Sequence, residues 1–124
     1  MRNTIVLVLW TMLILGVLLA PIGGIEKQQL GGFSHWDKIG HIILFGITGF
    51  VCAYSSSYLK TITARILFGF IFSVSLALLT EGLQRFVARD SDFCDLLADV
   101  AGLSLGLLVF TLLELRRKSK NAAD

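Results

Sequence analysis

Long apolar runs almost free of charge are the feature that most constrains how this chain can fold. Four such runs, at 4–20, 39–54, 64–80 and 96–113, are separated by clusters of charged residues. The first run of 17 residues would cover about 26 Å as a helix, close to the roughly 30 Å of hydrocarbon in a bilayer. Apolar residues make up 55% of the chain, and the mean hydropathy is +0.77. The pattern predicts an all-α, four-helix transmembrane bundle that forms a single domain over residues 1–124.

The first run also has some features of a cleaved signal peptide. Arg2 precedes it, and the Leu18-x-Ala20 ending resembles a cleavage site. However, Pro21 follows that site directly, and the run is longer than the apolar core of a usual signal peptide. We therefore expect it to be retained as a membrane span.

The distribution of basic residues predicts the orientation of the four spans. The termini and the 55–65 loop share one side of the membrane, and the two remaining loops share the other. The first side has seven basic residues: Arg2, Lys60, Arg65, Arg116, Arg117, Lys118 and Lys120. The second side has four: Lys27, Lys38, Arg85 and Arg89. Because cytoplasmic loops are enriched in lysine and arginine, we expect both termini and the 55–65 loop in the cytoplasm.

Several other classes of function and of site find no support in the composition. The net charge of +2, without basic runs interleaved with aromatics, gives no indication of nucleic-acid binding. No motif for a cofactor is present. Cys52 and Cys94 should lie on opposite faces of the membrane, so we expect no disulfide between them. Two cysteines are also too few for the paired motifs of a structural zinc site.

Charged and polar residues from three distant segments converge at the outer membrane boundary in this topology. The second span opens with Asp37, Lys38 and His41, and the third closes with Glu81, Gln84 and Arg85. Arg89, Asp90, Asp92, Asp95 and Asp99 lie in the outer loop and the first turns of the fourth span. Such residues also have purely structural uses, because acids stabilise helix N-termini and opposite charges four residues apart stabilise helices.

Asp99 is not explained by those structural uses. If Asp92 is the N-cap of the fourth helix, Asp99 lies about two turns further in, beyond the range of capping and dipole effects. A charged side chain inside a span costs about 2.5–3.5 kcal/mol even on the insertion scale. We therefore expect Asp99 to share a hydrogen-bonded cluster with Arg85 or Arg89, and His41 and Glu81 to face the same cavity.

Small residues in the fourth span predict a close helix contact. Ala98, Gly102 and Gly106 recur every four residues, a spacing that lets another membrane helix approach closely. Gly46 and Gly49 of the second span are a possible counterpart, either within the chain or in an oligomer or membrane partner.

Two stretches resemble the VanZ-like family of small bacterial integral membrane proteins. They are "WDKIGHIILFGITGF" at 36–50 and "EGLQRFVARDSDFCDLLADVAGLSLG" at 81–106. The family pattern has Asp-Lys-x-x-His opening one span, Glu-x-x-Gln closing the next, and then Arg-x-x-Asp-x-x-Asp-x-x-x-Asn-x-x-Gly. It maps in this chain onto Asp37, Lys38 and His41, then Glu81 and Gln84, then Arg89, Asp92, Asp95, Asp99 and Gly102. Asp99 stands where the family commonly has asparagine.

The resemblance implies a bacterial protein of the cytoplasmic (inner) membrane. The namesake of the family is associated with resistance to the glycopeptide teicoplanin, which is a weak indication for this chain. The family implies no known reaction.

Three functions remain open from the sequence. The first is binding of an envelope lipid, a lipid-linked cell-wall precursor or a glycopeptide at the outer polar site. The candidate ligand-binding residues are Lys38, Gln84, Arg85, Arg89, Asp92, Asp95 and Asp99. The second is an enzyme at the same site, with Asp37, His41 and Glu81 as candidate catalytic residues. The third is a structural or accessory subunit in which the polar cluster only fastens helix ends.

A metal site made of His41 and the three acids of the fourth span is a weaker variant of the enzyme hypothesis. The nearby arginines would compete with the metal for the same carboxylates.

Overall fold

Four helices make up the part of the chain that the structure describes. This computed structural model describes the backbone of residues 2–20, 34–84, 86 and 93–122, and the side chains of all of these except residues 2 and 34–37. The helices are α1 (Arg2–Leu18), α2 (Ser34–Ser55), α3 (Ile62–Gln84) and α4 (Phe93–Asn121). No strand occurs in the described ranges, and the all-α prediction is confirmed there.

Three of the helices are long and apolar enough to cross a membrane. They are α2 over Lys38–Ser55, α3 over its 23 residues and α4, which has 29 residues. The remaining helix, α1, is equally apolar but has only 17 residues. The fold is therefore that of a helical membrane protein.

The helices extend past the predicted apolar runs, most of all at the start of α2 and at the end of α4. α2 begins at Ser34 rather than at residue 39, and α4 continues to Asn121 rather than ending at residue 113. Apolarity marks the part of a helix that suits hydrocarbon, whereas backbone hydrogen bonding continues into polar sequence that favours helix. Lys38 consequently lies in the second turn of α2, and a basic segment forms the last turns of α4.

Contacts between the helices show that consecutive helices run antiparallel. Asn3 Nδ2 donates to Ser57 Oγ at 3.0 Å, which places the start of α1 beside the loop after α2. Halfway along α1, Trp10 Nε1 donates to Thr48 Oγ1 at 3.1 Å. Gln84 Nε2 donates to the Leu18 carbonyl at 3.3 Å, so α1 and α3 end together.

The bundle consequently has two distinct ends. We call the end that contains Leu18, Lys38, His41, Gln84, Asp95 and Asp99 the polar end. We call the opposite end, with Asn3, Ser57, Lys60, Arg65 and the C-terminal turns of α4, the basic end. Each end is assembled from segments that are far apart in the sequence.

Glycines bring α2 and α4 into direct backbone contact, and this pair of helices has the most extensive interface in the described bundle. A Cβ added at Gly49 would lie 2.7 Å from the Leu103 carbonyl oxygen, and a Cβ at Gly106 would overlap the Gly46 carbonyl oxygen. Helices can approach this closely only where side chains are absent. The predicted small-residue contact is confirmed, and it lies within the chain.

A half-buried arginine joins three helices at the basic end. Arg65 donates from Nε to the Ala53 carbonyl at 3.0 Å and from Nη2 to the Tyr54 carbonyl at 3.1 Å, which satisfies carbonyls in the last turn of α2. Its Nη1 lies 3.3 Å from Glu114 Oε1 on α4, and its guanidinium lies 4.7 Å from the centroid of the Phe110 ring. The Arg65–Glu114 pair therefore links α3 to α4 and to the end of α2.

No disulfide joins Cys52 to Cys94, in agreement with the predicted topology. Cys52 is buried near the end of α2, whereas Cys94 is exposed in the first turn of α4. Because α2 and α4 run parallel, the two thiols lie at opposite ends of the bundle.

Candidate functional site

A buried histidine–aspartate pair joins α2 to α4 at the polar end. His41 Nδ1 lies 2.8 Å from Asp99 Oδ1, and the two side chains are 2% and 0% exposed. His41 and Asp99 are the polar interruptions of two otherwise apolar helices, so each supplies the other with a partner inside the bundle. The pair explains how an acid is accommodated two turns into α4.

A second pair lies one turn nearer to the N-termini of the same helices. Lys38 Nζ lies 3.2 Å from Asp95 Oδ1. The Lys38 side chain is 29% exposed, whereas that of Asp95 is only 7% exposed. Asp95 also lies in the first turn of α4, where a carboxylate interacts favourably with the helix dipole. The two pairs therefore link the parallel helices α2 and α4 at successive turns. The Lys38–Asp95 pair is the one nearer to solvent, because Lys38 is partly exposed.

The end of α3 brings an amide and a carboxylate to the same end of the bundle. Gln84 is 1% exposed, and it binds the last carbonyl of α1 through Nε2. Glu81 is half-buried one turn earlier. Gln84 therefore caps the C-terminus of α1, a structural use that the sequence did not indicate for it.

The structure brings together six of the ten predicted site residues at the polar end. These are Lys38, His41, Glu81, Gln84, Asp95 and Asp99. Arg85, Arg89, Asp92 and the side chain of Asp37 lie outside the described residues. The expected contact of Asp99 with Arg85 or Arg89 therefore remains a prediction, and His41 is the partner found within the described bundle.

Metal binding has no direct geometric support in the described part of the chain. Among those residues, no group of three histidine, cysteine or acidic side chains is arranged to hold a metal ion. Each of the two innermost acids, Asp95 and Asp99, instead contacts a lysine or a histidine.

The sequence analysis did not predict two contacts between helices. One is the His41–Asp99 contact in the site, and the other is the Arg65–Glu114 contact at the opposite end of the bundle. The sequence contained the information needed to predict the pairing of His41 with Asp99. Each of these residues is the only acidic or basic residue in its predicted apolar run, and both lie at the same depth in the predicted topology. The Arg65–Glu114 pair had a similar signal, since one residue begins the third span and the other ends the fourth. In an antiparallel bundle these positions meet, so matching lone polar residues by depth would have found both pairs.

Chemically, the site combines a fixed imidazole with a partly exposed ammonium group. A carboxylate on Nδ1 sets the orientation of a histidine ring, as in many acid–base sites. The fold and this site define a helical membrane protein with a polar cluster at one end. No protein-family model, curated protein or solved structure matches the chain.

Proposed function

We propose that the chain is a VanZ-like protein that crosses the bacterial cytoplasmic membrane four times, with both termini in the cytoplasm. The antiparallel order of the helices supports an even number of crossings. The charges of the described side chains support the orientation, because the basic end has five exposed cations. These are Lys60, Arg116, Arg117, Lys118 and Lys120. The polar end has Lys38 and is otherwise acidic in the described residues, so the positive-inside rule favours a cytoplasmic basic end.

Reporter fusions test this orientation. A fusion after Ala123 should give the cytoplasmic signal, and a fusion after Gln28 should give the external one, because the basic excess lies at the end with both termini. A fusion after Lys60 is the internal control and should match the one after Ala123. An external signal at Ala123, or the same signal at Ala123 and Gln28, would contradict the four-span arrangement.

We infer that the polar end binds an anionic group of an envelope ligand. The candidate ligands are an envelope lipid, a lipid-linked cell-wall precursor and a glycopeptide. The observation that carries this proposal is the burial of His41 and Asp99 at 2% and 0% exposure inside an apolar bundle. Ionisable groups within membrane spans are costly, and they usually mark a ligand or ion pathway. Here the pair lies one turn below Lys38, whose side chain is 29% exposed at the polar end.

Lys38 is the residue best placed to contact an anionic ligand. Its ammonium group has three N–H donors and lies 3.2 Å from Asp95 Oδ1, and its side chain is partly exposed at the polar end. A lysine ammonium is a compact point charge that suits phosphate and carboxylate. The predicted contributions of Arg85 and Arg89 would add further donors for the same anion.

Comparison of cells with and without the protein tests the binding proposal. We expect the pool of one lipid-linked intermediate, or the susceptibility to a glycopeptide, to change when the protein is removed and to recover when it is restored. The measurement is mass spectrometry of extracted lipids together with growth in the antibiotic. Unchanged lipid pools and unchanged susceptibility would reject an envelope ligand.

An enzymatic function is the second candidate, and the Nδ1 contact of His41 with Asp99 favours it. In this arrangement Asp99 orients the ring and His41 acts as general base, with Glu81 and Asp37 as further candidate acids or bases. His41→Asn separates chemistry from packing, because the asparagine amide still donates to Asp99 but cannot take up a proton. An enzyme would lose its activity in His41→Asn at normal protein abundance.

A binding protein or a structural subunit would instead retain most of its function in His41→Asn. His41→Ala, which leaves Asp99 without this partner, is expected to lower abundance in every case. Quantitative immunoblotting of membranes, measured beside the cellular phenotype, distinguishes these outcomes.

A further inference from the structure

An apolar groove runs along the outside of the α2–α4 interface, away from the buried His41–Asp99 pair. Its volume is about 450 Å³, within the range of small-molecule sites. Gly46 and Gly106 form its floor, and its walls include Ile47, Phe50, Val109 and Leu113. Since its lining is almost entirely apolar, the groove suits a hydrocarbon chain.

The groove leads to two cations at the basic end. Val109 and Leu113 are four residues apart, and Arg116 and Lys120 follow at the spacing that keeps them on the same face of α4. Both cations are exposed. A helical side chain covers the turn before its own Cα, so Arg116 lies over the turn that contains Leu113.

The positive charge at this end of the groove is not neutralised by the neighbouring acid. Glu114 lies between the groove and the basic turns, but its carboxylate is paired with Arg65 at 3.3 Å and is only 15% exposed. No other acid lies on the basic turns of α4 among the described residues. The face therefore combines an apolar channel with a localised cationic end.

We propose that this face binds one anionic phospholipid, with an acyl chain in the α2–α4 groove and the phosphate on Arg116 and Lys120. Basic residues just outside a membrane helix attract anionic headgroups. Tyr54 flanks the same end, where it stacks on Phe50 with ring centroids 6.1 Å apart, and tyrosine suits the headgroup boundary.

Charge favours a lipid over a second copy of the chain as the occupant. A two-fold dimer through this face would bring Arg116 and Lys120 of one copy against the same residues of its partner. Like charges placed together across an interface oppose association. An anionic lipid instead offers the opposite charge at the cationic end and hydrocarbon along the groove.

Native mass spectrometry of the purified protein, titrated with phosphatidylglycerol or with phosphatidylcholine of the same acyl chains, tests the site. We expect phosphatidylglycerol to bind more tightly. The Arg116→Gln/Lys120→Gln double variant should weaken its binding on the order of tenfold or more, as two lost lysine or arginine contacts predict. The Arg117→Gln/Lys118→Gln double variant is the matched control, because it removes the same charge from other faces of α4.

A second pair of variants tests the groove itself. Val109→Trp fills the groove and should weaken phosphatidylglycerol binding by a similar factor, whereas Leu108→Trp places the same ring outside the groove lining and should not. The proposal is overturned by equal binding of the two lipids, by equal losses in the two double variants, or by unchanged binding in Val109→Trp. A dimer that Val109→Trp converts to a monomer would also overturn it, since the groove would then hold a second copy.

Discussion

Replacing Asp99 with alanine is expected to cause one of the largest losses of stability that a single substitution can produce in this protein. Asp99 is 0% exposed and holds His41 at 2.8 Å. Removing one partner of a buried pair costs about 3–5 kcal/mol when the remaining group is charged and about 1–3 kcal/mol when it is neutral. Thermal unfolding of the detergent-solubilised protein, together with its abundance in membranes, measures this loss.

Two further variants show whether the loss of stability in Asp99→Ala comes from the lost contact with His41. Asp99→Asn keeps the size and an oxygen or an amide opposite His41, so we expect a much smaller loss. Ser104→Ala on the exposed side of α4 removes a hydroxyl that bonds only to its own helix, and it should be close to neutral. A stability of Asp99→Ala equal to that of Ser104→Ala would show that the buried pair does not hold α2 and α4 together.

Replacing Gly106 with alanine is expected to have the second large effect. The added methyl group would overlap the Gly46 carbonyl oxygen, and a backbone atom cannot move aside without shifting the whole helix. Overpacking of this kind costs about 1–3 kcal/mol, which outweighs the roughly 0.5–1 kcal/mol that alanine gains over glycine within a helix. The same unfolding measurement checks the prediction.

Gly16 offers the matched control for Gly106. A Cβ added there meets nothing within 4 Å, so Gly16→Ala should be neutral or slightly stabilising through helix propensity alone. If Gly106→Ala were as stable as Gly16→Ala, the close approach of α2 and α4 would be wrong.

The helical content and the α2–α4 contact could be predicted from sequence because each depends on a regular pattern. Apolar runs of sufficient length predict membrane helices, and small residues at every fourth position predict a close crossing. The ends of the helices could not be placed in this way. The polar residues at the start of α2 and the basic residues at the end of α4 are compatible with helix, although they do not suit hydrocarbon.

The membership of the polar end could be predicted, but its pairing could not. The sequence indicated that Asp99 needs a partner inside the membrane, and it favoured Arg85 or Arg89 because each lies just outside the end of the third span. The choice among Arg85, Arg89 and His41 depends on which face of each helix points inward. In the described bundle, the glycine contact between α2 and α4 places His41 opposite Asp99, whereas a contact of Asp99 with Arg85 or Arg89 stays a prediction.

Direct binding to the purified protein tests the central claim of an anion site at the polar end. The probe is a polyprenyl phosphate in detergent micelles, and its affinity is compared for the unmodified protein, Lys38→Gln and Lys60→Gln. The two variants remove one partly or fully exposed lysine each, from opposite ends of the bundle. We predict that Lys38→Gln weakens binding about tenfold, as the loss of a charge-assisted contact implies, while Lys60→Gln binds like the unmodified protein. Equal affinities of all three proteins, or a greater loss in Lys60→Gln, would contradict a binding site at the polar end.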